Sequence, residues 1–328
     1  MGPEDLKKIL AVLPPSDDEN LLVGLDAPDD AAVYSLGDGR LLVASVDFFT
    51  PVVDDPEDFG AIAAANALSD LYAMGATPAF ALSVLAVPAS TLSLDVVAGI
   101  LRGAAETCDE AGIVIAGGHS IDDKEPKFGL VALGFAESER VYRKSGARPG
   151  DAIVLGKALG TGIIATALKR DGTDAPVVRA AVRSMRQLNQ EAAVLLEGHE
   201  VHALTDVTGF GLLGHLREVC AASDVSARVF ASAPRFLPEA IDLAEAGFVP
   251  GGTERNRAAI EPVTGWEPGI PDPVRTVLCD AQTSGGLLAC VPKHEASELA
   301  TEWESAGYAA SVVGSIEEPS KPMLIVEE

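Results

Sequence analysis

The sequence predicts an α+β chain of two domains, on three observations. Its 328 residues are enough for two cores. Both halves run in the same order, a strand, a glycine-rich turn, a helix and a strand ending in Asp, without residue-level identity between them. A strand hairpin near the start disfavours the alternative, a plain doubly wound sheet. The character of the chain changes around Arg148-Pro149-Gly150-Asp151, which divides it into domains 1–150 and 151–328.

In the first half, Pro3 to Leu13 has the pattern of a short amphipathic helix stopped by Pro14 and Pro15. Glu19 to Leu25 is extended. Ala31–Leu36 and Leu41–Val46 are strands joined by the turn Gly37-Asp38-Gly39. The central element is the stretch Asp55 to Gly75. Asp55 is an N-cap, Pro56 a first helical residue, and Gly75 followed by Pro78 a stop. This predicts a helix of about five turns. Its middle is rich in Ala, which lets other backbone come close. Asn66 and Asp70, four apart, share one face and must be hydrated, hydrogen-bonded or holding something. Ala79–Val87 is an apolar strand, and Leu94–Ala111 an amphipathic helix with Thr91 as its expected cap. Ile113–Ala116 is a short strand, expected to be buried and to run into a turn, Gly117-Gly118-His119-Ser120, before the strand Phe128–Glu137.

In the second half, strands are expected at Ala152–Leu155, Ala203–Asp206, Ala227–Phe230, Leu287–Val291, Ala310–Ile316 and Met323–Val326. Helices are expected at Ile163–Leu168, Val177–Glu197, Leu212–Ala222, Pro238–Ala246 and His294–Ala306.

The formal net charge of −25 argues against a nucleic-acid surface but leaves room for a polyphosphate bridged by divalent cations. An acidic, Lys-poor surface also suits a high-salt cytoplasm. The four cysteines, Cys108, Cys220, Cys279 and Cys290, have neither metal-ligand nor redox spacing, which fits a reducing cytoplasm. No signal peptide opens the sequence, and no apolar run reaches the ~20 residues of a membrane span.

Four carboxylates sit at structured positions beside small residues. Asp30 follows Asp29 at a strand start, Asp47 ends the strand LLVASV, Asp70 lies on the Ala-rich helix, and Asp206 ends a second apolar strand. Each alone is also ordinary turn or cap chemistry. Together, hard oxygen donors of this kind suit Mg²⁺ or Mn²⁺ and not zinc. Glycine-rich turns supply the other half of the pattern. Gly117-Gly118-His119-Ser120 offers backbone N–H groups with an adjustable donor in His119, or a tight turn with a structural His. Thr208-Gly209-Phe210-Gly211 opens a helix, where phosphate is attracted. Thr283-Ser284-Gly285-Gly286 offers hydroxyls and open backbone. Pro250-Gly251-Gly252-Thr253 adds Arg255, or is a surface turn. His215 reads as helical and structural. No Walker A loop, Rossmann fingerprint, zinc signature or nucleophile elbow is present. What remains is a nucleotide whose phosphates are held through metals by aspartates and by glycine-rich backbone.

The blocks NLLVG (20–24), DDAAVY (29–34), DFFTPVVDDPEDFG (47–60), NALSDLYAMG (66–75), AGGHSI (116–121), TDVTGFGLLGHL (205–216), PGGTERN (250–256) and CDAQTSGGLL (279–288) together resemble the selenophosphate synthetase (selenide, water dikinase) family, nearly end to end and in order. The resemblance implies a two-domain, aminoimidazole ribonucleotide synthetase-like architecture. It also implies a homodimer whose N-terminal domain sheets pair and share the nucleotide sites. The implied reaction takes ATP, selenide and water to selenophosphate, AMP and phosphate. By position it implies Asp30, Asp70 and Asp206 as Mg²⁺ ligands, and Asp29, Asp47, Asp70, Gly118, His119 and Ser120 as nucleotide-site residues. The family also carries a glycine-rich segment with Cys or selenocysteine and, three residues later, Lys, just ahead of the helix expected at Pro3–Leu13. The sequence begins at Met1 without that pair, so no catalytic residue is assigned to selenide. The polypeptide as given is expected to bind ATP with Mg²⁺ and to make little selenophosphate. The competing expectations are a non-catalytic ATP-binding paralogue and an ATP-dependent relative acting on another nucleophile.

Overall fold

The computed structural model describes residues 9–14, 16–25, 29–137 and 141–328. The helix expected at Pro3–Leu13 falls mostly outside them. The chain forms two compact units, each α+β. Of the described residues, one comprises those of Asp17–Val141 with Val182–Gln190, and the other Tyr142–Ala181 and Glu191–Glu328 together with those before Asp17.

The first unit is a six-stranded sheet of β1 (Leu21–Val23), β2 (Ala32–Ser35), β3 (Arg40–Phe49), β4 (Thr77–Val87), β5 (Ile115–Asp122) and β6 (Lys127–Glu137). Their spatial order is β1-β2-β3-β6-β4-β5, with only β4 and β5 parallel. The β2–β3 hairpin turns at Gly37 and Gly39, whose φ of +79° and +89° suit residues without a Cβ. Helix α1 (Pro56–Ala73) starts where expected, Asp55 accepting the Asp58 N–H at 2.9 Å. It lies on β3, β4 and β6 and is itself covered by α2 (Leu94–Glu110). That sandwich explains why every residue from Phe59 to Ala73 is buried: a helix apolar all round belongs in an interior. Small residues permit the contact. A Cβ on Gly60 would stand 1.8 Å from Ile100 O, and one on Gly103 would stand 1.9 Å from Glu57 O. The α2 cap is Ser93, not Thr91: Ser93 Oγ accepts the Val96 N–H, whereas Thr91 Oγ1 turns to Pro88 O.

One expectation is corrected here. Gly117-Gly118-His119-Ser120 is not a turn; it is the middle of β5, an exposed edge strand beside β4. Glycine at 118 answers a close approach, because a Cβ there would lie 2.1 Å from Ser83 O.

The second unit is built on a seven-stranded sheet ordered β10-β13-β9-β12-β7-β11-β8. Its strands are β7 (Asp151–Leu155), β8 (Ala203–Asp206), β9 (Ser226–Phe230), β10 (Thr264–Trp266), β11 (Leu287–Pro292), β12 (Ser311–Glu317) and β13 (Leu324–Glu327). The central strand β7 is buried throughout, as its unbroken apolar run requires, and β8 is an edge that ends at Asp206. The helices that follow β6 in the chain are α3 (Thr161–Leu168), α4 (Ala175–Arg186, its residues from Val182 on counted with the first unit), α5 (Gln190–Leu195), α6 (Gly211–Ser223), α7 (Ala240–Glu245), α8 (Gly251–Ile260), α9 (Asp272–Leu278) and α10 (Ala296–Ser305). The single helix expected over Val177–Glu197 is broken at 187–189. Leu188 and Asn189 are buried there, and Asn189 Nδ2 donates to Ser69 Oγ at 2.8 Å in the first unit, to which that segment belongs. Helix α8 stands where a surface turn or an Arg255 site was expected. Arg255 is exposed, while Thr253 and Asn256 face inward.

Candidate active site

In the first unit, α1 turns its polar face onto β3. Successive residues of a strand point to opposite sides, so Ser45 and Asp47 both face the helix. Asn66 Nδ2 donates to Asp47 Oδ2 at 2.7 Å, and Ser45 Oγ donates to Asp70 Oδ2. The residues four apart on α1 thus meet residues two apart on β3. Asp30, half-buried where β2 begins, completes this corner. It and Asp70 bring carboxylate oxygens to within 4.8 Å of one another. Its neighbour Asp29 takes the Asp30 N–H on Oδ1 at 3.0 Å. Two carboxylates this close, one of them 9% exposed, repel unless a proton or a cation lies between them. Such hard oxygen donors fit a divalent cation of the Mg²⁺ type.

The register of the sheet separates the other expected residues. His119 pairs with Val84, and Val84 with Gly129, which lies opposite Phe48. His119 therefore shares the face of Phe48, on the other side of the sheet from Asp47. Gly118 and Ser120 share the face of Ser83 and Leu85.

In the second unit, Asp206 is 1% exposed at the end of β8. A buried lysine, Lys157, interacts electrostatically with it and donates from Nζ to Ser284 O at 3.0 Å. Burial pulls the Lys157 ammonium down to about 7, and the Asp206 charge opposes that shift. The run Thr283 to Gly286 does not present open backbone. A Cβ on Gly285 would lie 1.8 Å from Val207 O and one on Gly286 2.3 Å from Lys157 N, so these glycines let the loop pack against the exit of β8. Helix α6 opens at Gly211 as expected. His215 is structural: its Nε2 accepts the Thr208 N–H at 3.1 Å, and burial holds it neutral, with its titration pulled down to about 3.

Sequence reasoning missed a second polar group here. Asp280 is fully buried and accepts from Thr253 Oγ1 (2.7 Å), Gly162 N–H (3.0 Å), Ile163 N–H (3.2 Å) and Gln282 Nε2 (3.2 Å). Burial pushes its carboxyl up to about 7 against those donors. It fills the N-terminus of α3 from inside the protein, so an external anion is not needed there. The legible signal was the i, i+3 spacing of Thr253 and Asn256, which puts both on one face of a helix.

Fold and site define the class first. The N-terminal domain of the AIR synthase related proteins matches residues 28–136, and their C-terminal domain matches residues 148–327. The chain is 48% identical over 314 residues to the selenide, water dikinase of Paraburkholderia xenovorans (strain LB400), covering 95% of this chain and 88% of that one. The chain belongs to the selenide, water dikinase family within the AIR synthase related proteins. Among solved structures, the thiamine-monophosphate kinase of Stenotrophomonas maltophilia K279a shares the fold with a TM-score of 0.68 at 20% identity, over 98% of this chain and 94% of that one. The hydrogenase maturation protein HypE in complex with ATP gives 0.66 at 19%, over 94% and 87%. Among the described residues, no helix is long and apolar enough to cross a membrane.

Proposed function

We propose that this chain converts selenide, ATP and water to selenophosphate, AMP and phosphate in a Mg²⁺-dependent reaction, in a reducing cytoplasm. The observation that carries the reading is the Asp30–Asp70 pair at the α1–β3 corner, with Asp47 fixed beside it by Asn66. In this proposal Asp30, Asp70 and Asp206 hold Mg²⁺. Asp29, Asp47, Asp70, Gly118, His119 and Ser120 contact the nucleotide. When bound, Mg²⁺ cancels phosphate charge and orients the in-line attack. The protein's own part is to present its acids already in place. Ser45 holds one oxygen of Asp70 and Asn66 one oxygen of Asp47, so little reorganisation is left for the moment of reaction. The test is ATP consumption with Mg²⁺ in the presence of selenide, sulfide or amines, read by nucleotide chromatography and phosphorus NMR. Turnover, however slow in the polypeptide as given, rises with selenide alone and yields AMP. Stimulation by another nucleophile would transfer the reading to a relative with a different acceptor; ATP binding without turnover would make the chain a binder.

The same proposal includes a homodimer formed through the first unit's sheet. Its support is the outer sheet face, where Val46 (53% exposed), Phe48 (51%) and Phe135 (41%) lie uncovered, the first two in register through β6 with Leu82 and Val84. An apolar face of this extent marks an association surface. His119 lies on it, so in this reading a second copy stands beside a nucleotide residue. Phe48→Glu is expected to give monomers in sedimentation velocity and to weaken ATP binding in the same samples. A variant that sediments as the wild type would remove this face from the interface.

A further inference from the structure

The loop that follows Asp206 is tied at several points, most of them to segments distant in sequence. Val207 N–H donates to Gly286 O at 2.9 Å and Thr208 N–H to His215 Nε2 at 3.1 Å. Thr208 O accepts the N–H of Gln282 at 3.0 Å. A further tie is a side-chain amide. Asn256 Nδ2 donates to Gly209 O at 2.9 Å and to Cys279 O at 3.1 Å. Both partners are carbonyls, so only the NH₂ end of the amide can face them, and its two hydrogens are both used. Asn256 is 6% exposed, so water does not replace the amide if it is lost. One turn earlier on α8, Thr253 Oγ1 donates to Asp280 Oδ1 and accepts the Ala281 N–H at 3.0 Å. The inner edge of α8 therefore fastens two loops, 279–282 and 206–211, to one rigid helix.

We infer that Asn256 is a positioning residue that fixes the direction in which Asp206 leaves β8, and so sets the metal affinity of the site; this rests on the proposed role of Asp206 as a cation ligand. Asn256→Asp keeps shape and volume but places a carboxylate against two carbonyls. Its neighbour Arg257 turns its guanidinium to Asp272 and Thr276 and reaches the 279–282 loop only through its charge, at Cys279. Arg257→Ala therefore serves as the control for a loss that is only structural.

The experiment titrates Mn²⁺ into the whole chain with a non-hydrolysable ATP analogue, counting free ion by EPR. Hydrogen exchange of the peptide spanning 206–211 and the melting temperature are measured on the same variants. Asn256→Asp is expected to weaken Mn²⁺ binding about tenfold, the loss expected of one hydrogen bond of this kind, and to speed exchange in 206–211. Arg257→Ala lowers the melting temperature and leaves both unchanged. Should Asn256→Asp not fold, Asn256→Ser, which keeps one donor, is expected to shift both readouts in the same direction by less. Equal Mn²⁺ affinity in Asn256→Asp and Arg257→Ala overturns the inference while Asp206→Asn still weakens binding. If Asp206→Asn itself leaves Mn²⁺ affinity unchanged, the reading of the site falls and the positioning role falls with it.

Discussion

Asp70→Asn is expected to weaken Mg²⁺-dependent ATP binding at least about 100-fold in titration calorimetry, the scale on which losing one charged ligand from a buried site is felt (~3 kcal/mol). Asp58→Asn on the same helix is expected to change it less than about twofold. The two substitutions are chemically identical, so the difference isolates position. Asp70 is buried, accepts from Ser45 and lies beside Asp30. An Asn amide oxygen can still accept the Ser45 hydroxyl, so the fold loses little while the charge is gone. Asp58 sits in the first turn of α1, where its carboxylate pairs with Arg186 at 2.7 Å. Its loss costs a partly exposed ion pair, worth at most about 1 kcal/mol. Equal effects of the two changes on binding would remove Asp70 from the site.

The second large effect falls on stability. Helix propensity alone says that Gly60→Ala and Gly103→Ala, both in helix interiors, should each stabilise by about 1 kcal/mol. The packing says the opposite. Each new methyl would overlap a carbonyl of the facing helix, Ile100 O at 1.8 Å or Glu57 O at 1.9 Å, and backbone cannot swing aside as a side chain can. The helices must separate, which opens the α1–α2 contact and also lifts α1 from the sheet. Each substitution is expected to cost about 3 kcal/mol, at the upper end for overpacking, or a fall of about 6–12 °C in melting temperature. The calorimetric melting temperature decides the sign; a rise in either variant would mean that the helices do not cross this closely.

Both expectations concern residues whose importance is unevenly visible in the sequence. Helix α1 was legible because its signals are local: Asp55, Pro56 and Gly75 act within one turn of where they stand. Asp206 was legible because an acid closing an apolar strand is conspicuous; Asp47 was read the same way, although β3 continues past it to Phe49. The family resemblance, confirmed by the relatives and domain families above, carried the two-domain architecture. What stayed hidden is set by contacts distant in sequence. Nothing near Gly118 says strand, because the requirement for glycine comes from Ser83 on a neighbouring strand. Nothing in 187–189 says helix break, because no Pro or Gly stands there and the contact that fixes Asn189 is with Ser69. Asp280, Gln282 and Asn256 looked like polar loop and turn residues. Their roles appear only when α3, α8 and the segment after Asp206 are seen to meet around them. Lys157 belongs to no phosphate-loop pattern, and only its surroundings mark it as an interior counter-charge.

The nine residues Val182–Gln190 belong with Asp17–Val141 although some forty residues of the other unit intervene. They bring Arg186 to Asp58 and Asn189 to Ser69. No single cut in the gene therefore yields two self-sufficient halves: a fragment stopped at Val141 would leave the hydroxyl of Ser69 and the start of α1 without these mates. Exchange of either lobe between homologues would have to carry that short return passage along with the lobe it serves.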